Sequence, residues 1–160
     1  MGTADVGPMR RLPVVLVLLA TMCATWARAG FARVAPPTSE HKPRVQKVIQ
    51  FARHQLGVRY SWGGTSRRTG FDCSGLVYAA YRSIGMKIPR STWGQLDVGR
   101  RVGFARLQPG DLVFTEGGGH VQLVVSKRAA ISAPQTGERV RYVPLRQLRP
   151  QFAGARRLLK

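Results

Sequence analysis

The residue best suited to do chemistry in this chain is Cys73, which lies in the polar and glycine-containing stretch 70–77. It stands where a helix is predicted to begin, because apolar residues recur at helical spacing over residues 73–84 and Gly85 follows as a stop signal. The partial positive charge at the start of a helix favours the thiolate, which is the nucleophilic form of cysteine. This position indicates a catalytic nucleophile, whereas a cysteine without such a setting usually packs as a small apolar side chain.

A nucleophilic cysteine needs a base within reach, and His120 is the only histidine after Cys73 in the sequence. His120 follows three glycines and opens the run 121–125, whose near-continuous apolar character predicts a strand buried on both faces. A helix packed against that strand can bring the thiol to the imidazole, so the two residues together indicate Cys-His catalysis. His41 lies just before an earlier predicted helix, and His54 lies on the polar side of that helix. Both are expected at the surface.

The remaining patterns predict elements that can position this pair. A helix is expected over residues 43–56, and residues 88–95 are expected to lead into a short helical or turn segment that ends near Gly99. Strands are expected over 112–114, 121–125, 129–132, 140–143 and 155–159. Helices followed by antiparallel strands predict an α+β domain, with N-terminal helices packed on a small antiparallel β-sheet. Trp62 is expected in the core, while Tyr60 has a hydroxyl that could face a site.

The first residues are predicted to be a secretory signal peptide, residues 1–29. Arg10 and Arg11 precede an apolar run, and a small-x-small pattern ends at Ala29. Residues 30–42 are expected to form a flexible lead-in, and residues 43–160 the folded domain. A membrane anchor is disfavoured because the apolar run is short, and lipidation of Cys23 is a minor alternative because the large Met22 precedes it.

Charge is the dominant feature of the composition. The 160 residues include 26 Lys or Arg and 7 Asp or Glu, for a formal net charge of +19. Such a balance predicts an anionic partner, and an exported protein would meet anionic cell-wall polymers rather than a specific nucleic acid. The alternative is an arginine-rich composition without any specific partner. No metal or cofactor is expected, because no Cys-x-x-Cys or histidine pair at ligand spacing occurs.

Several short motifs in this order resemble the NlpC-type (NlpC and p-sixty) cell-wall peptidases, which are papain-like cysteine peptidases of bacteria. The matching stretches are Tyr-Ser-Trp-Gly-Gly at 60–64, Phe-Asp-Cys-Ser-Gly-Leu-Val at 71–77, Ile-Pro-Arg at 88–90, Gln95, Leu-Gln-Pro-Gly-Asp-Leu-Val-Phe at 107–114, Gly-His-Val at 119–121 and Ala-Pro-Gln-Thr-Gly at 133–137. They extend from residue 60 to residue 137 of the predicted domain, residues 43–160.

The resemblance implies a papain-like fold and a secreted or cell-envelope enzyme of a bacterium that cleaves peptidoglycan stem peptides, commonly between D-glutamate and the diamino acid. Cys73 would attack the carbonyl and His120 would act as base. The resemblance also implies substrate-binding roles for Tyr60 near the oxyanion and for Asp72, Ser74 and Thr92 near the substrate's N-terminal end. For Asp72 and Thr92, capping of the helix that follows is the structural alternative. For Ser74, the alternative is a small residue without a binding role in the first turn of its helix.

Two positions depart from the family pattern. The third catalytic position, usually His, Asn, Gln or Glu, is Ser132, whose short side chain is expected to reach the histidine directly or through water. Gln122 replaces a frequent glycine and would crowd the sheet or supply a polar contact near His120. A second hypothesis is therefore a catalytically weak or inactive peptidase-like domain that binds anionic wall polymer, and a third is different thiol chemistry, such as acyl transfer.

Overall fold

The computed structural model describes residues 1–2 and 41–159. Its helices are α1 (His41–His54), α2 (Cys73–Arg82), α3 (Thr92–Leu96) and α4 (Leu145–Leu148). Both predicted long helices are present, each ending two residues before its predicted end. The short segment predicted to end near Gly99 corresponds to α3, which ends earlier, at Leu96. The expected signal peptide and lead-in lie almost entirely outside the described residues, although residues 41 and 42 belong to α1. In the described ranges, no helix combines the length and apolarity needed to cross a bilayer.

The strands are β1 (Thr65–Ser66), β2 (Gly70–Phe71), β3 (Arg100–Arg101), β4 (Leu112–Thr115), β5 (His120–Val124), β6 (Ala129–Ser132), β7 (Arg141–Pro144) and β8 (Gly154–Arg157). β1 and β2 form a small hairpin, and the other six form one antiparallel sheet in the order β3-β8-β4-β5-β6-β7. The five predicted strands all appear in this sheet, and the bounds of β6 agree with the prediction. The α+β prediction is confirmed.

Apolar side chains on both sides of the sheet explain why its central strands are buried on both faces. Alternate residues of a strand point to opposite faces, so Leu112 and Phe114 join the helices α1 and α2 in a first cluster, whereas Val113 belongs to a second. The second cluster also includes Leu145 and Leu148 of α4 and is flanked by partly buried apolar residues. The prediction that β5 is buried on both faces is confirmed, since Val121 and Val124 fall in different clusters.

The prediction that Trp62 packs in the core is wrong, because its side chain is 88% exposed. Trp62 occupies a central position of a turn closed by the Gly64 N–H, which donates to the Ser61 carbonyl at 2.9 Å. Central turn residues project away from the chain reversal, which overrides the preference of a large aromatic for burial. Phe71, which is fully buried, supplies the aromatic core residue from this region instead.

Candidate active site

Cys73 is the first residue of α2 and is half-buried, and it is the free cysteine of the described part of the chain. Its sulfur lies 3.8 Å from the hydroxyl oxygen of Thr92, which begins α3. Cys73 packs against the first apolar cluster but is partly exposed, and it has no disulfide partner in the described part of the chain. The start of α2 leaves backbone N–H groups pointing towards this end of the helix.

Asp72 fixes the start of that helix. Its carboxylate accepts the Gly75 N–H at 2.6 Å as an N-cap and the Gly63 N–H at 2.8 Å. Arg90 donates to both carboxylate oxygens, at 3.0 and 2.6 Å, and so forms a bidentate ion pair with Asp72. Burial raises the pKa of Asp72, but the bonds from Arg90 and the two N–H groups lower it by more, so its pKa lies below the ordinary value. The Asp72 side chain is 9% exposed and its carboxylate is already satisfied, which favours the capping alternative.

Ser74 belongs to the same buried network. Its hydroxyl donates to Asp72 at 3.2 Å and accepts from Arg90 at 2.8 Å. Both predicted substrate-binding residues therefore contact Arg90 rather than presenting unpartnered groups. Sequence reasoning did not assign a role to Arg90, although the Ile-Pro-Arg motif that contains it is among the stretches on which the resemblance depends.

Close backbone packing holds the first turn of α2 against the hairpin. A Cβ atom added at Gly75 would lie 2.0 Å from the carbonyl oxygen of Gly64, a distance that no side chain can occupy. On the other side, the fully buried Gln95 of α3 donates to the carbonyl oxygens of Ser74 at 3.0 Å and Pro89 at 2.9 Å. The helix that carries Cys73 is thus fixed from two directions.

His120 is the first residue of β5, and Ser132 is the last residue of the neighbouring strand β6. The His120 Nε2 and Ser132 Oγ atoms are 2.9 Å apart, a direct hydrogen bond. Of the two expectations for this short side chain, direct contact is the one found. A hydroxyl there can accept from the ring and fix its orientation.

The environment of Cys73 favours its ionised form. Burial raises the pKa of the thiol, but the His120 imidazole, the Val121 N–H and the Thr92 hydroxyl together lower it by more. The pKa of Cys73 therefore lies below its ordinary value. This is the electrostatic setting of a reactive thiol rather than of an inert buried cysteine.

Tyr60 lies beside the same sulfur. Burial and then the negative charges of Cys73 and Asp72 raise the pKa of its hydroxyl, against an opposing effect of Arg90. The hydroxyl therefore stays protonated at neutral pH and remains a hydrogen-bond donor at the site.

Gln122 supplies a polar contact near the histidine. Its side-chain NH2 donates to the Thr115 hydroxyl at 3.1 Å, and Thr115 is the residue paired with His120 across β4 and β5. Gln122 is buried, and its carbonyl oxygen has no hydrogen-bond partner among the described residues. The glutamine is thus accommodated inside the sheet without displacing the His120–Ser132 contact.

Comparison with known proteins identifies the family. The model of the NlpC/P60 family matches residues 57–157. The chain belongs to the NlpC/P60 family. The predicted family is thus confirmed, and with it the papain-like α+β fold and the cysteine-peptidase class of the domain. The matched range includes the candidate residues from Tyr60 to Ser132.

Among relatives of this NlpC/P60 domain, the murein DD-endopeptidase MepH of Escherichia coli is 38% identical over 133 residues, covering 74% of this chain and 49% of MepH. The peptidoglycan endopeptidase RipB of Mycobacterium tuberculosis is 36% identical over 135 residues, covering 76% of this chain and 55% of RipB. The gamma-D-glutamyl-L-lysine dipeptidyl-peptidase of Bacillus subtilis is 36% identical over 117 residues, covering 69% of this chain and 39% of that enzyme. The chain spans about half or less of the length of these relatives.

Solved structures give the same result. The crystal structure of RipB from Mycobacterium tuberculosis superposes with a TM-score of 0.70 at 34% identity, covering 78% of this chain and 69% of that one. An NlpC/P60 family protein from Bacillus cereus gives a TM-score of 0.68 at 35% identity, covering 72% of this chain and 40% of that one.

Proposed function

We propose that the protein is a peptidoglycan endopeptidase that cleaves stem peptides with Cys73 as nucleophile and His120 as base. The observation that carries the proposal is the lowered pKa of a half-buried thiol at the start of α2, caused in part by His120. Relatives named as peptidoglycan endopeptidases support the substrate class. The expected signal peptide, and the wall substrate itself, support a location in the bacterial cell envelope.

The chemistry would proceed in two balanced steps. The Cys73 thiolate attacks the peptide carbonyl, and the imidazolium of His120 gives its proton to the leaving amine as the C–N bond breaks and a thioester forms. Water then attacks the thioester while His120 accepts a proton, which releases the acid and restores the thiolate. Ser132 would orient the ring, and the Tyr60 hydroxyl would donate to the oxygen that becomes negative.

The Asp72–Arg90 pair bears on the kind of substrate. A substrate ammonium near Asp72 would meet a carboxylate whose charge Arg90 already balances, so a free N-terminus gains little there. Thr92 and Ser74 would contact the substrate backbone or shape the site. We therefore propose cleavage within longer stem peptides, at the D-glutamyl–diamino acid bond. The names of the relatives include both a D-glutamyl and a DD specificity, so the bond itself is a matter for product analysis.

The test is digestion of purified peptidoglycan by the protein and by its Cys73→Ala variant, followed by mass spectrometry of the products. We expect fragments that end in D-glutamate and fragments that begin with the diamino acid, from the unaltered protein alone. Release of the same fragments by both proteins would refute the proposed nucleophile. Wall binding without any turnover by either protein would instead favour the hypothesis of a weakened, polymer-binding domain.

A further inference from the structure

A large groove lies away from the candidate active site. It has a volume of about 1170 Å³, and neither Cys73, His120 nor Ser132 lines it. Its apolar floor includes Val102, Phe104 and Leu107, which pack against the second cluster, on the side of the sheet that does not contact α1 and α2. The groove is therefore a surface that the proposed peptidase chemistry does not use.

The lining of this groove is strongly cationic. Eight of its 18 described lining residues are Arg or Lys, and none is Asp or Glu. The groove is lined by two dibasic pairs that are far apart in the sequence, Arg100-Arg101 and Lys127-Arg128. It is also lined by Arg157, which belongs to a third dibasic pair. Folding thus concentrates basic residues that look scattered along the chain.

Most of these charges have no partner within the described residues. Of the eight, only Arg157 forms an ion pair, with Asp111 at 2.7 Å. Unpaired cations held close together repel one another, so an anionic ligand would relieve an unfavourable interaction already present in the fold.

We propose that this groove binds a linear phosphodiester polymer of the bacterial cell wall and so holds the enzyme at its substrate. Seven of the eight cationic residues are arginines, whose planar guanidinium groups can each donate two parallel hydrogen bonds to the oxygens of one phosphate. Several cations along one open groove suit a ligand with repeated charges rather than a single small anion. The apolar floor and the 46%-exposed Tyr142 suit the uncharged units between phosphates. The choice of a wall polymer over a nucleic acid rests on the proposed function.

The experiment compares two triple variants that remove the same charges. The groove variant carries Arg106→Gln, Lys127→Gln and Arg146→Gln, all at exposed lining positions. The control carries Arg44→Gln, Lys47→Gln and Arg53→Gln, which are exposed on α1. Binding of the purified protein to poly(glycerol phosphate) is measured over a range of salt concentrations, with DNA and polyglutamate as comparison polymers.

We expect the groove variant to lose about tenfold in affinity for poly(glycerol phosphate), and the control to lose much less. A plot of log affinity against log salt concentration has a negative slope, and its magnitude should be smaller by about two in the groove variant. Each of the three lost contacts with a flexible polyanion reduces that magnitude by roughly 0.7. Equal losses in the two variants would overturn the proposal, as would equal affinity for DNA or polyglutamate. The Cys73→Ala variant should bind like the unaltered protein, so failure of the groove proposal and failure of the peptidase proposal are distinguishable.

Discussion

At the scale of single residues, Ser132 is the most informative side chain, because it stands where the family usually has a longer group. Its 2.9 Å contact with His120 is a single hydrogen bond, and such bonds contribute about 1 kcal/mol. We predict that Ser132→Ala lowers kcat for stem-peptide cleavage by about five- to tenfold, with little change in KM, because the orientation of the ring is less restricted.

Steady-state kinetics on a synthetic stem peptide would measure this effect. Ser132→Asn, which retains a hydrogen-bonding group, should recover part of the lost rate. If Ser132→Ala turned over as fast as the unaltered protein, the serine would have no orienting role.

Asp72 makes a prediction about stability and pH. A carboxylate with a lowered pKa in the folded state stabilises the fold above its unfolded pKa of about 3.9, and that stabilisation is lost as the pH falls through the folded value. We predict that Asp72→Asn lowers the free energy of unfolding at pH 7 by about 2–4 kcal/mol and flattens the dependence of stability on pH below about 4.

Urea unfolding between pH 2.5 and 7 would test this, with Asp97→Asn as the control. Asp97 is exposed and forms no ion pair within the described residues, so its variant should stay within about 0.5 kcal/mol. Equal stability of Asp72→Asn and the control would show that the ion pair with Arg90 contributes nothing.

The sequence was sufficient to propose Cys73 and His120 as a catalytic pair, because their residue types and their elements restrict where they can lie. It did not predict that Arg90 would pair with Asp72, since the two are 18 residues apart and no periodic pattern connects them. The large aromatic side chain of Trp62 predicts burial, but its position in a turn exposes it, so that prediction is wrong.

At the scale of elements, Gly75 determines how closely α2 can approach the hairpin. A methyl group there would overlap the Gly64 carbonyl, which is backbone and cannot move alone. We predict that Gly75→Ala costs about 1–3 kcal/mol of stability or more and displaces Cys73, so that cleavage falls with it.

Gly103→Ala is the matched control, because nothing lies within 4 Å of its Cβ position and its φ of −76° suits any residue. Thermal unfolding and peptide cleavage of both variants would be compared. An unchanged Gly75→Ala variant would mean that the packing of α2 on the hairpin is loose.

The long elements were predictable because their apolar spacing extends over several turns or a whole strand. β1, β2 and β3 are two residues each, and α4 is four, so none carries a recognisable period. These short elements form because tertiary contacts stabilise them. β3, for instance, is defined by its pairing with β8.

At the scale of the whole molecule, one buried ion pair connects the last strand to the start of β4. Arg157 donates to both oxygens of Asp111, at 2.7 Å each, and the Asp111 side chain is almost fully buried. We predict that Arg157→Met costs about 3 kcal/mol of unfolding free energy, because it leaves a buried carboxylate without its counter-charge.

The control is Arg141→Met, which removes an exposed pair with Glu138 and should change stability by no more than about 1 kcal/mol. Urea denaturation of both variants would give the two values. Similar losses of unfolding free energy in the two variants would indicate that the Arg157–Asp111 pair does not stabilise the sheet.

The central claim is that His120 ionises the sulfur of Cys73. The most direct measurement is the rate of alkylation of the Cys73-containing peptide as a function of pH, by mass spectrometry, in the unaltered protein and in His120→Ala, with the exposed His54→Ala as the control. We predict a thiol pKa below the ordinary value in the unaltered protein and in His54→Ala. In His120→Ala it should rise, because the effect of burial is then less opposed. The same pKa in all three proteins would contradict the account.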